Sequence, residues 1–244
     1  MYSLFCRADN VSSDRIIIDD PLKVRHIRRV LRLKVGEEVI AVTESRESFR
    51  CKIKYLDKSI LLKIVEKLRP NLTTIGPLVT VACAIPKKAK FDDIVDKLTQ
   101  LGVYRIIPLL TERVIVKLDD AAKTAKMLRW RKIAKSAAEQ AHRVDIPIID
   151  EPGNLKDLLL SSSGFDLKLI PHLEGERSSL KSIFQGGALK SVLVLIGPEG
   201  DFTPKEIKLA KGAGFIPITL GEHVLRVDTA AIAILSFIKI YAHI

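Results

Sequence analysis

One stretch of the sequence, VLVLIGPEGDFTPKEI at residues 192 to 207, has the residue types and spacing of a backbone-lined ligand loop. Its first five residues are valine, leucine and isoleucine, which predicts a parallel strand covered on both faces. The glycines and proline of GPEG then exclude regular structure. Ligands of open α/β sheets bind at the carboxyl ends of strands, where such loops expose backbone N–H groups. The stretch therefore predicts a binding site or, more simply, a connector between strand and helix.

The polar residues of the same stretch restrict the ligand. Thr203, followed by Pro204 and Glu206, matches a capping box with proline at the first helical position, so a helix is predicted to begin at Pro204. The lysine of a phosphate-binding P-loop is missing, and the acids Glu199 and Asp201 stand in the loop instead. Because two acids disfavour a polyphosphate, a neutral or cationic ligand is expected.

The chain that must position this loop is long enough for two domains, with 244 residues of which 47% are hydrophobic. Residues 1–72 are predicted to form a small barrel-like domain with strands at 16–19, 37–42, 49–56 and 59–68. In residues 22–36, His26, Val30 and Leu33 recur at helical spacing and predict a short helix. A polar linker places the domain boundary at about residue 73.

Residues 73–244 show strands and helices in alternation, which predicts a mostly parallel sheet. Strands are expected at 78–85, 103–110, 166–173, 192–196 and 215–220. Helices are expected at 91–102, near 119–141, at 204–214 and from about Thr229 onward.

Positive charge is concentrated in two strips, one in each predicted domain. The chain has 40 Lys and Arg against 29 Asp and Glu, a net charge of +11, which favours nucleic acid as a partner over a membrane surface. Residues 22–35, the first basic strip, include six Lys or Arg and no acid; residues 121–143, the second, include seven against one glutamate. Trp130 is the one aromatic residue nearby, so phosphate contacts are expected more than base stacking. The alternative for each strip is a solvated helix face.

No metal site, leader or membrane span is expected. The three cysteines are widely separated and the five histidines do not fall at metal-ligand intervals, so a reduced, cytoplasmic protein without zinc is predicted. The amino terminus lacks the apolar core of a signal peptide. The apolar stretch TAAIAILSFIKIYAHI is shorter than a membrane span and contains Lys239, which indicates a core or subunit-interface helix.

A second glycine loop, LGEHVLRVDTA at residues 220–230, follows a predicted strand just as GPEG does. The pair of motifs resembles the ribosomal RNA small subunit methyltransferase E family, the 16S rRNA uridine-N3 methyltransferases of the SPOUT superfamily. Further similarity lies in HIRRVLRLKVGE (26–37), KLTQLGVYRIIPLLTERVIVK (97–117) and EQAHRVDIP (139–147). The resemblance therefore covers nearly the whole chain.

The resemblance implies an α/β fold, in which a SPOUT-type α/β domain with a deep carboxyl-terminal trefoil knot follows a small PUA-like β-barrel, and a homodimer. It also implies methyl transfer from S-adenosylmethionine to N3 of a uridine in the decoding region of 16S rRNA, on the 30S subunit. Seven residues are then expected to contact RNA, namely Arg25, His26, Arg28, Arg29, Arg32, Arg113 and Arg143.

The resemblance also implies three walls for the S-adenosylmethionine pocket. The first wall is Ile196, Gly197, Pro198, Glu199 and Gly200. The second is Leu220, Gly221, Val224, Leu225 and Arg226, and the third is His172 and Leu173 in the PHLEG loop. The cofactor carries a sulfonium and no phosphate, which agrees with acids in the first loop.

Three residues are candidates for catalysis. Uridine N3 carries a proton that must leave before the nitrogen can attack a methyl group. Arg226 is the candidate for holding uracil O2 or O4 and stabilising the developing anion, and Glu199 and Asp228 are candidates for accepting the proton. Structural alternatives are loop N–H bonding for Glu199, the N-cap of the last helix for Asp228, and for Arg226 a salt bridge to Asp228 or across the dimer.

The chain departs from the family pattern at three places. Asp201 stands where a second glycine is usual, His223 where a basic residue is usual, and Val227-Asp228 where Thr-Glu is usual. Asp201 crowds the loop if its position needs a positive φ, which Asp tolerates better than most residues. The alternative functions are a related knotted methyltransferase acting on a ribose 2′-OH or on tRNA, and a non-catalytic rRNA-binding assembly factor.

Overall fold

The computed structural model describes residues 2–43, 47–68, 76–86, 91–113, 119–141, 143, 145–173, 175–184 and 189–241. The chain divides into two compact units. The first comprises Met1–Thr73 with Ala138–Ile146, and the second comprises Thr74–Ala137 with Pro147–Ile244.

The first unit is built on a five-stranded sheet. Its strands are β1 (Tyr2–Cys6), β2 (Arg15–Ile18), β3 (Glu38–Thr43), β4 (Ser48–Leu56) and β5 (Ile60–Leu68), in the order β1-β3-β4-β5-β2. The β1–β3 pairing is parallel and the other pairings are antiparallel. The four predicted strands are confirmed. The sequence analysis did not predict β1, whose partner β3 lies far along the chain and whose four successive buried residues give no alternating pattern.

The helix predicted within residues 22–36 is shorter than expected. Helix α1 spans Pro21–Arg29, and the Asp20 side chain caps it by accepting a hydrogen bond from the backbone N–H of Leu22 (2.9 Å). Its buried face is formed by Val24 and Ile27, whereas His26 and Val30 are exposed. The spacing of His26, Val30 and Leu33 therefore predicted a helix correctly but identified the wrong residues as its buried face. Leu33 is buried from the loop that follows the helix.

The second unit contains an eight-stranded sheet in which every pairing is parallel, as predicted. Its strands are β6 (Leu78–Ala84), β7 (Arg105–Leu110), β8 (Ile148–Ile149), β9 (Gly153–Asn154), β10 (Leu167–Pro171), β11 (Ser178–Ser179), β12 (Ser191–Ile196) and β13 (Ile216–Thr219). The order is β11-β13-β10-β12-β6-β7-β8, with β9 also pairing with β7.

Six helices alternate with these strands: α2 (Phe91–Gln100), α3 (Asp120–Gln140), α4 (Leu155–Leu160), α5 (Leu180–Ile183), α6 (Pro204–Gly212) and α7 (Val227–Tyr241). The structure also describes two 3₁₀ turns, Ala8–Asn10 and Ser162–Gly164. The five predicted strands and four predicted helices of this unit are confirmed. The shortest elements, β8, β9, β11, α4 and α5, were not predicted, because two to six residues are too few to establish a period.

Strand β12 is covered on both faces, as its uninterrupted apolar run predicted. Leu193 and Leu195 pack into a core that includes Phe202 and Ile207. Helix α7 contacts β12 and β6, and its buried side chains include Leu235. The carboxyl-terminal apolar stretch therefore forms a core helix. Over the part of the chain that the structure describes, no helix has the length and apolarity needed to cross a membrane.

Candidate functional site

The GPEG loop joins β12 to α6 and is closed by a turn in which the N–H of Asp201 donates to the carbonyl of Pro198 (2.9 Å). The predicted capping box is present. The Thr203 hydroxyl accepts from the Glu206 N–H (3.2 Å), and the Glu206 carboxylate accepts from the Thr203 N–H (2.8 Å). Helix α6 consequently begins at Pro204, as expected.

Glu206 also ties this loop to the neighbouring strand. Its side chain is buried, and its second oxygen accepts from the backbone N–H of Glu112 (2.9 Å), just beyond β7. Arg113, the next residue, donates from its guanidinium to the carbonyl oxygens of Gly200 and Asp201. The loop is therefore held from the β7 side at Gly200 and Asp201 and, through Glu206, at the start of α6.

The second glycine loop joins β13 to α7. The Thr219 hydroxyl accepts from the Gly221 N–H (3.2 Å) and donates to the Gly221 carbonyl (3.0 Å). Gly221 has a φ of +125°, a conformation open to glycine and strained for other residues. Residues 221–224 are exposed, with Val224 at 73% exposure, so this loop has little packing around it.

A third loop follows β10 and carries His172 and Leu173. The His172 N–H donates to the carbonyl of Ile218 in β13 (3.2 Å), which continues the β10–β13 pairing by one residue. Strands β13, β10 and β12 are adjacent and parallel, so the three loops emerge at one edge of the sheet.

The three loops line a cleft that is partly open to solvent. Of the predicted cofactor-binding residues, ten line it: His172, Leu173, Ile196, Gly197, Pro198, Glu199, Leu220, Gly221, Val224 and Leu225. Two predicted residues, Gly200 and Arg226, lie outside the lining, as does the catalytic candidate Asp228. The cleft lining also contains residues to which sequence reasoning gave no pocket role: Pro171, Arg177, Asp201, Thr219, His223, Val227 and Ala230. The adjacency of the strand ends could have suggested Pro171 and Thr219, which end β10 and β13.

Asp201 adopts the positive φ that the sequence analysis considered, at 59°. Its Oδ1 accepts from the N–H of Phe202 (2.7 Å). Its Oδ2 contacts Nδ1 of His172 (2.7 Å) and accepts from the N–H of Leu173 (3.3 Å). The carboxylate therefore bridges the first and third loops.

The start of α7 differs from the prediction. The helix begins at Val227, and the carbonyl of Arg226 accepts the Ala230 N–H (2.8 Å), so Arg226 occupies the N-cap position. The alternative that Asp228 is the N-cap is wrong. Asp228 lies in the first turn of the helix, where the helix dipole stabilises a negative charge. Arg226 is exposed, and the ion pairs found among the described residues do not include it, so the anticipated Arg226–Asp228 bridge is absent there.

Cys83 lies on the strand beside Ile196 and is fully buried. Burial raises the pKa of its thiol far above the usual range, and the charges of Asp228 and then Glu199 raise it further. Ile196, the residue paired with Cys83, ends β12 directly before the GPEG loop.

The first basic strip lies on α1 and the loop after it. Arg25, His26, Arg29 and Arg32 are exposed, while Arg28 pairs with Asp57 (3.0 Å) at about half exposure. Three of the arginines line a groove together with Lys58: Arg25, Arg28 and Arg29. Arg25, Arg29 and Arg32 therefore present their charges to solvent. Of the strip's arginines, Arg28 is the one that appears in the ion pairs found among the described residues.

The second basic strip, largely on α3, is more internally neutralised. Arg129 pairs with Asp92 (2.5 Å), and Trp130 is buried with its indole N–H donating to the same carboxylate (3.1 Å). Trp130 is thus inaccessible to a base. The side chain of Arg143 is 10% exposed and is held by Asp145 (2.9 Å). Arg113, also expected at RNA, lies against the GPEG loop.

Within the described ranges there is no group of three His, Cys, Asp or Glu side chains that could hold a metal ion. Cys6, Cys51 and Cys83 are buried thiols that are not joined in disulfides. The site therefore consists of backbone loops, apolar side chains and a few charged groups.

Comparison with known proteins follows the division into two units. A family model described as an RNA methyltransferase domain matches residues 75–239, and one described as an RNA methyltransferase PUA domain matches residues 20–66. The ribosomal RNA small subunit methyltransferase E of Mesomycoplasma hyopneumoniae is 33% identical over 236 residues, covering 97% of this chain and 98% of that protein.

Solved structures give the same picture. A methyltransferase from Legionella pneumophila in complex with bound S-adenosylmethionine matches with a TM-score of 0.77 and 30% identity, covering 98% of this chain and 96% of the other. A ribosomal RNA small subunit methyltransferase E from Neisseria gonorrhoeae bound to S-adenosylmethionine matches with a TM-score of 0.77 and 25% identity, covering 97% and 95%.

Proposed function

Because this chain belongs to the RNA methyltransferase family, among the ribosomal RNA small subunit methyltransferase E proteins, we propose that it methylates N3 of a uridine in the decoding region of 16S rRNA. The methyl donor is S-adenosylmethionine. The substrate is the RNA as it occurs in the 30S subunit. The observation that carries the proposal is the cleft formed by three loops at one edge of the parallel sheet.

The chemistry of the cleft lining suits S-adenosylmethionine. Leu173, Ile196 and Leu225 supply apolar walls for an adenine ring, while Gly197 and Gly221 leave the loop backbone free of side chains. Glu199 at the rim suits a cation rather than a phosphate. When bound there, S-adenosylmethionine supplies an electrophilic methyl group on a cationic sulfur.

Residues around the cleft are assigned the two remaining tasks, which are stabilising the uracil anion and accepting the N3 proton. Arg226 is exposed at the N-terminus of α7, next to the cleft residues Leu225 and Val227, where its guanidinium can hold a uracil carbonyl and stabilise the anion formed at N3. Glu199 and Asp228 are the carboxylates that can accept the N3 proton, directly or through water.

The finer features of the fold and assembly belong to the same proposal. Strand β13 inserts between β10 and β11, both of which precede it in the sequence, so the chain returns into an existing sheet before forming the second loop and α7. Such a return supports the trefoil knot implied by the family resemblance. We also propose a homodimer in the cytoplasm, supported by the exposed Ile240 on α7 (65%) and by three thiols that are not joined in disulfides.

RNA binding is assigned first to the first basic strip. Arg25, Arg29 and Arg32 are exposed and stand on a unit that matches a PUA model. Contacts from such cations go to phosphates and orient the RNA, whereas base selection belongs to the cleft. On the second basic strip, Arg131 and Lys132 are the exposed cations that remain for the same purpose.

The test is methylation of 30S subunits that lack the modification, with isotope-labelled S-adenosylmethionine and mass spectrometry of the product nucleosides. We expect labelled 3-methyluridine at one position. A 2′-O-methylated nucleoside, or product on tRNA alone, would favour a related knotted methyltransferase. Binding of subunits without any methyl transfer would favour an assembly factor.

A further inference from the structure

Two of the three cleft loops are joined by a single side-chain pair, His172 and Asp201. Nδ1 of His172 lies 2.7 Å from Oδ2 of Asp201, and the same oxygen accepts from the N–H of Leu173 at 3.3 Å. The other oxygen, Oδ1, accepts from the N–H of Phe202 at 2.7 Å. Because a carboxylate only accepts hydrogen bonds, Nδ1 is the protonated nitrogen of the His172 ring.

The pair is mostly shielded from water. The side chains of His172 and Asp201 are 15% and 16% exposed, so their contact is screened less than a surface ion pair. The backbone N–H of His172 is bound to the carbonyl of Ile218 (3.2 Å). His172 is thus anchored to β13 through its backbone and to the GPEG loop through its ring.

Asp201 holds this position against a backbone preference. Its φ of 59° lies in the left-handed region, which glycine adopts without strain. Its side chain makes three hydrogen bonds, to His172, Leu173 and Phe202, none of which glycine could make.

We propose that Asp201 is a positioning residue for the cofactor site and that the His172–Asp201 latch holds the third loop against the first. The inference rests on the proposed function, since the ligand is S-adenosylmethionine. His172, Leu173 and Asp201 all line the cleft, so their fixed arrangement forms a wall before the ligand arrives. Without the latch the third loop occupies the binding-competent position for only part of the time. The apparent Kd then equals the intrinsic Kd divided by the fraction of time that the loop is in that position.

The main experiment is calorimetric titration of S-adenosylmethionine into the full-length wild type and Asp201→Gly. Glycine removes the carboxylate and suits the backbone angle, so strain does not confuse the result. If the third loop is competent for about a tenth of the time without the latch, the Kd rises about tenfold. Turnover at saturating cofactor should fall by a smaller factor than the affinity, because excess cofactor offsets the loss of the latch. Glu222→Ala is the matched control, since it removes an exposed acid from the second loop.

Two further variants separate the latch from a general effect on folding. Asp201→Asn tolerates the same backbone angle and can keep one oxygen facing His172 and Leu173, so it should retain more affinity than Asp201→Gly. In a His172→Ala background, the glycine substitution should lower affinity by a much smaller factor than in the wild type, because only the bond from the Leu173 N–H to Asp201 is then left to lose. If Asp201→Gly fails to fold, Asp201→Asn takes its place in this cycle.

The outcomes distinguish the latch from the proposed function. A wild type that binds and an Asp201→Gly variant that binds equally well would overturn the latch alone. Additive effects of the His172 and Asp201 changes, or an asparagine variant no better than glycine, would also overturn it. A wild type that does not bind S-adenosylmethionine would overturn both the latch and the proposed function.

Discussion

The two glycine loops of the cleft are built differently, although each follows a strand and precedes a helix. The GPEG loop is connected to three other parts of its unit: to β7 through Glu206 and Arg113, to the third loop through Asp201, and to the core through buried Phe202. The second loop, in its described hydrogen bonds, is held by Thr219 alone before α7 begins.

The difference suggests that the first loop holds the cofactor site in shape and that the second presents side chains to the substrate. A loop whose N–H and carbonyl groups are paired on several sides presents the same surface with and without a ligand, which reduces the entropy lost on binding. The second loop leaves Val224 and Arg226 exposed, so they remain available to a large substrate. We therefore expect substitutions in the first loop to alter stability as well as cofactor affinity, and those in the second to alter cofactor affinity or methyl transfer with less change in stability.

The largest effect is expected from Arg226→Ala. Loss of a charge that stabilises a developing anion should lower kcat by on the order of a hundredfold or more. Cofactor affinity should be retained, since Arg226 lies outside the cleft lining. Single-turnover methylation and calorimetry measure the two quantities. Arg226→Lys, which keeps the charge but not the planar fork, should recover part of the rate. Unchanged turnover in the alanine variant would remove Arg226 from catalysis.

Glu206→Ala tests how the first loop is held. The substitution leaves the N–H groups of Thr203 and Glu112, whose hydrogen bonds are part-buried, without their acceptor, and we expect a loss of roughly 1–3 kcal/mol in the free energy of unfolding. Urea denaturation measures it. Glu206→Gln should lose less, because one oxygen can still accept one of the two bonds. Lys208→Ala, exposed on the same helix, is the control and should change little. Equal stabilities would mean that this brace is unimportant.

Alanine at Gly197 and at Gly221 compares the two loops directly. A Cβ at Gly197 would lie 3.0 Å from the buried Phe202 ring, and the braced loop has little room to yield, so we expect a loss of about 1–3 kcal/mol in stability. A Cβ at Gly221 would meet nothing within 4 Å, but the φ of +125° is strained for alanine.

For Gly221→Ala the expected result is weaker S-adenosylmethionine binding with a smaller change in melting temperature, because an exposed loop can move to relieve the strain. Thermal melts and calorimetry on both variants provide the comparison. If the two variants lose the same stability, the contrast between a braced and an unbraced loop is not supported.

Local features were predicted best. The capping box at Thr203 and Glu206 depends on residues three apart, and the structure confirms it. The buried strand β12 and the alternation of strands and helices in the second unit were also predicted correctly. At α1, by contrast, the chain leaves the helix after Arg29 although the apolar spacing continues, because Arg32 turns into a positive φ and Leu33 packs from the loop.

Contacts between distant segments could not be predicted from spacing. Strand β1 needs β3 as its partner, and α7 begins two residues before the expected start, which turns Asp228 from a cap into a first-turn residue. Arg113, which was predicted to contact RNA, also binds the GPEG loop through its guanidinium, and the spacing gave no sign of that contact. The partners of β1 and Arg113 lie far away along the chain. The role of Asp228 depends on the residue at which α7 makes its first hydrogen bond.

The sequence by itself determined the two-part organisation, the parallel sheet, the two glycine loops and the family resemblance, because these depend on local residue order and composition. Tertiary structure decided what the charged residues do. Asp201 departs from the family pattern when read in the sequence, but in the folded chain it bonds His172, Leu173 and Phe202. A side chain's role depends on which groups the fold brings within hydrogen-bond distance, and parallel strands bring together loops that are far apart along the chain.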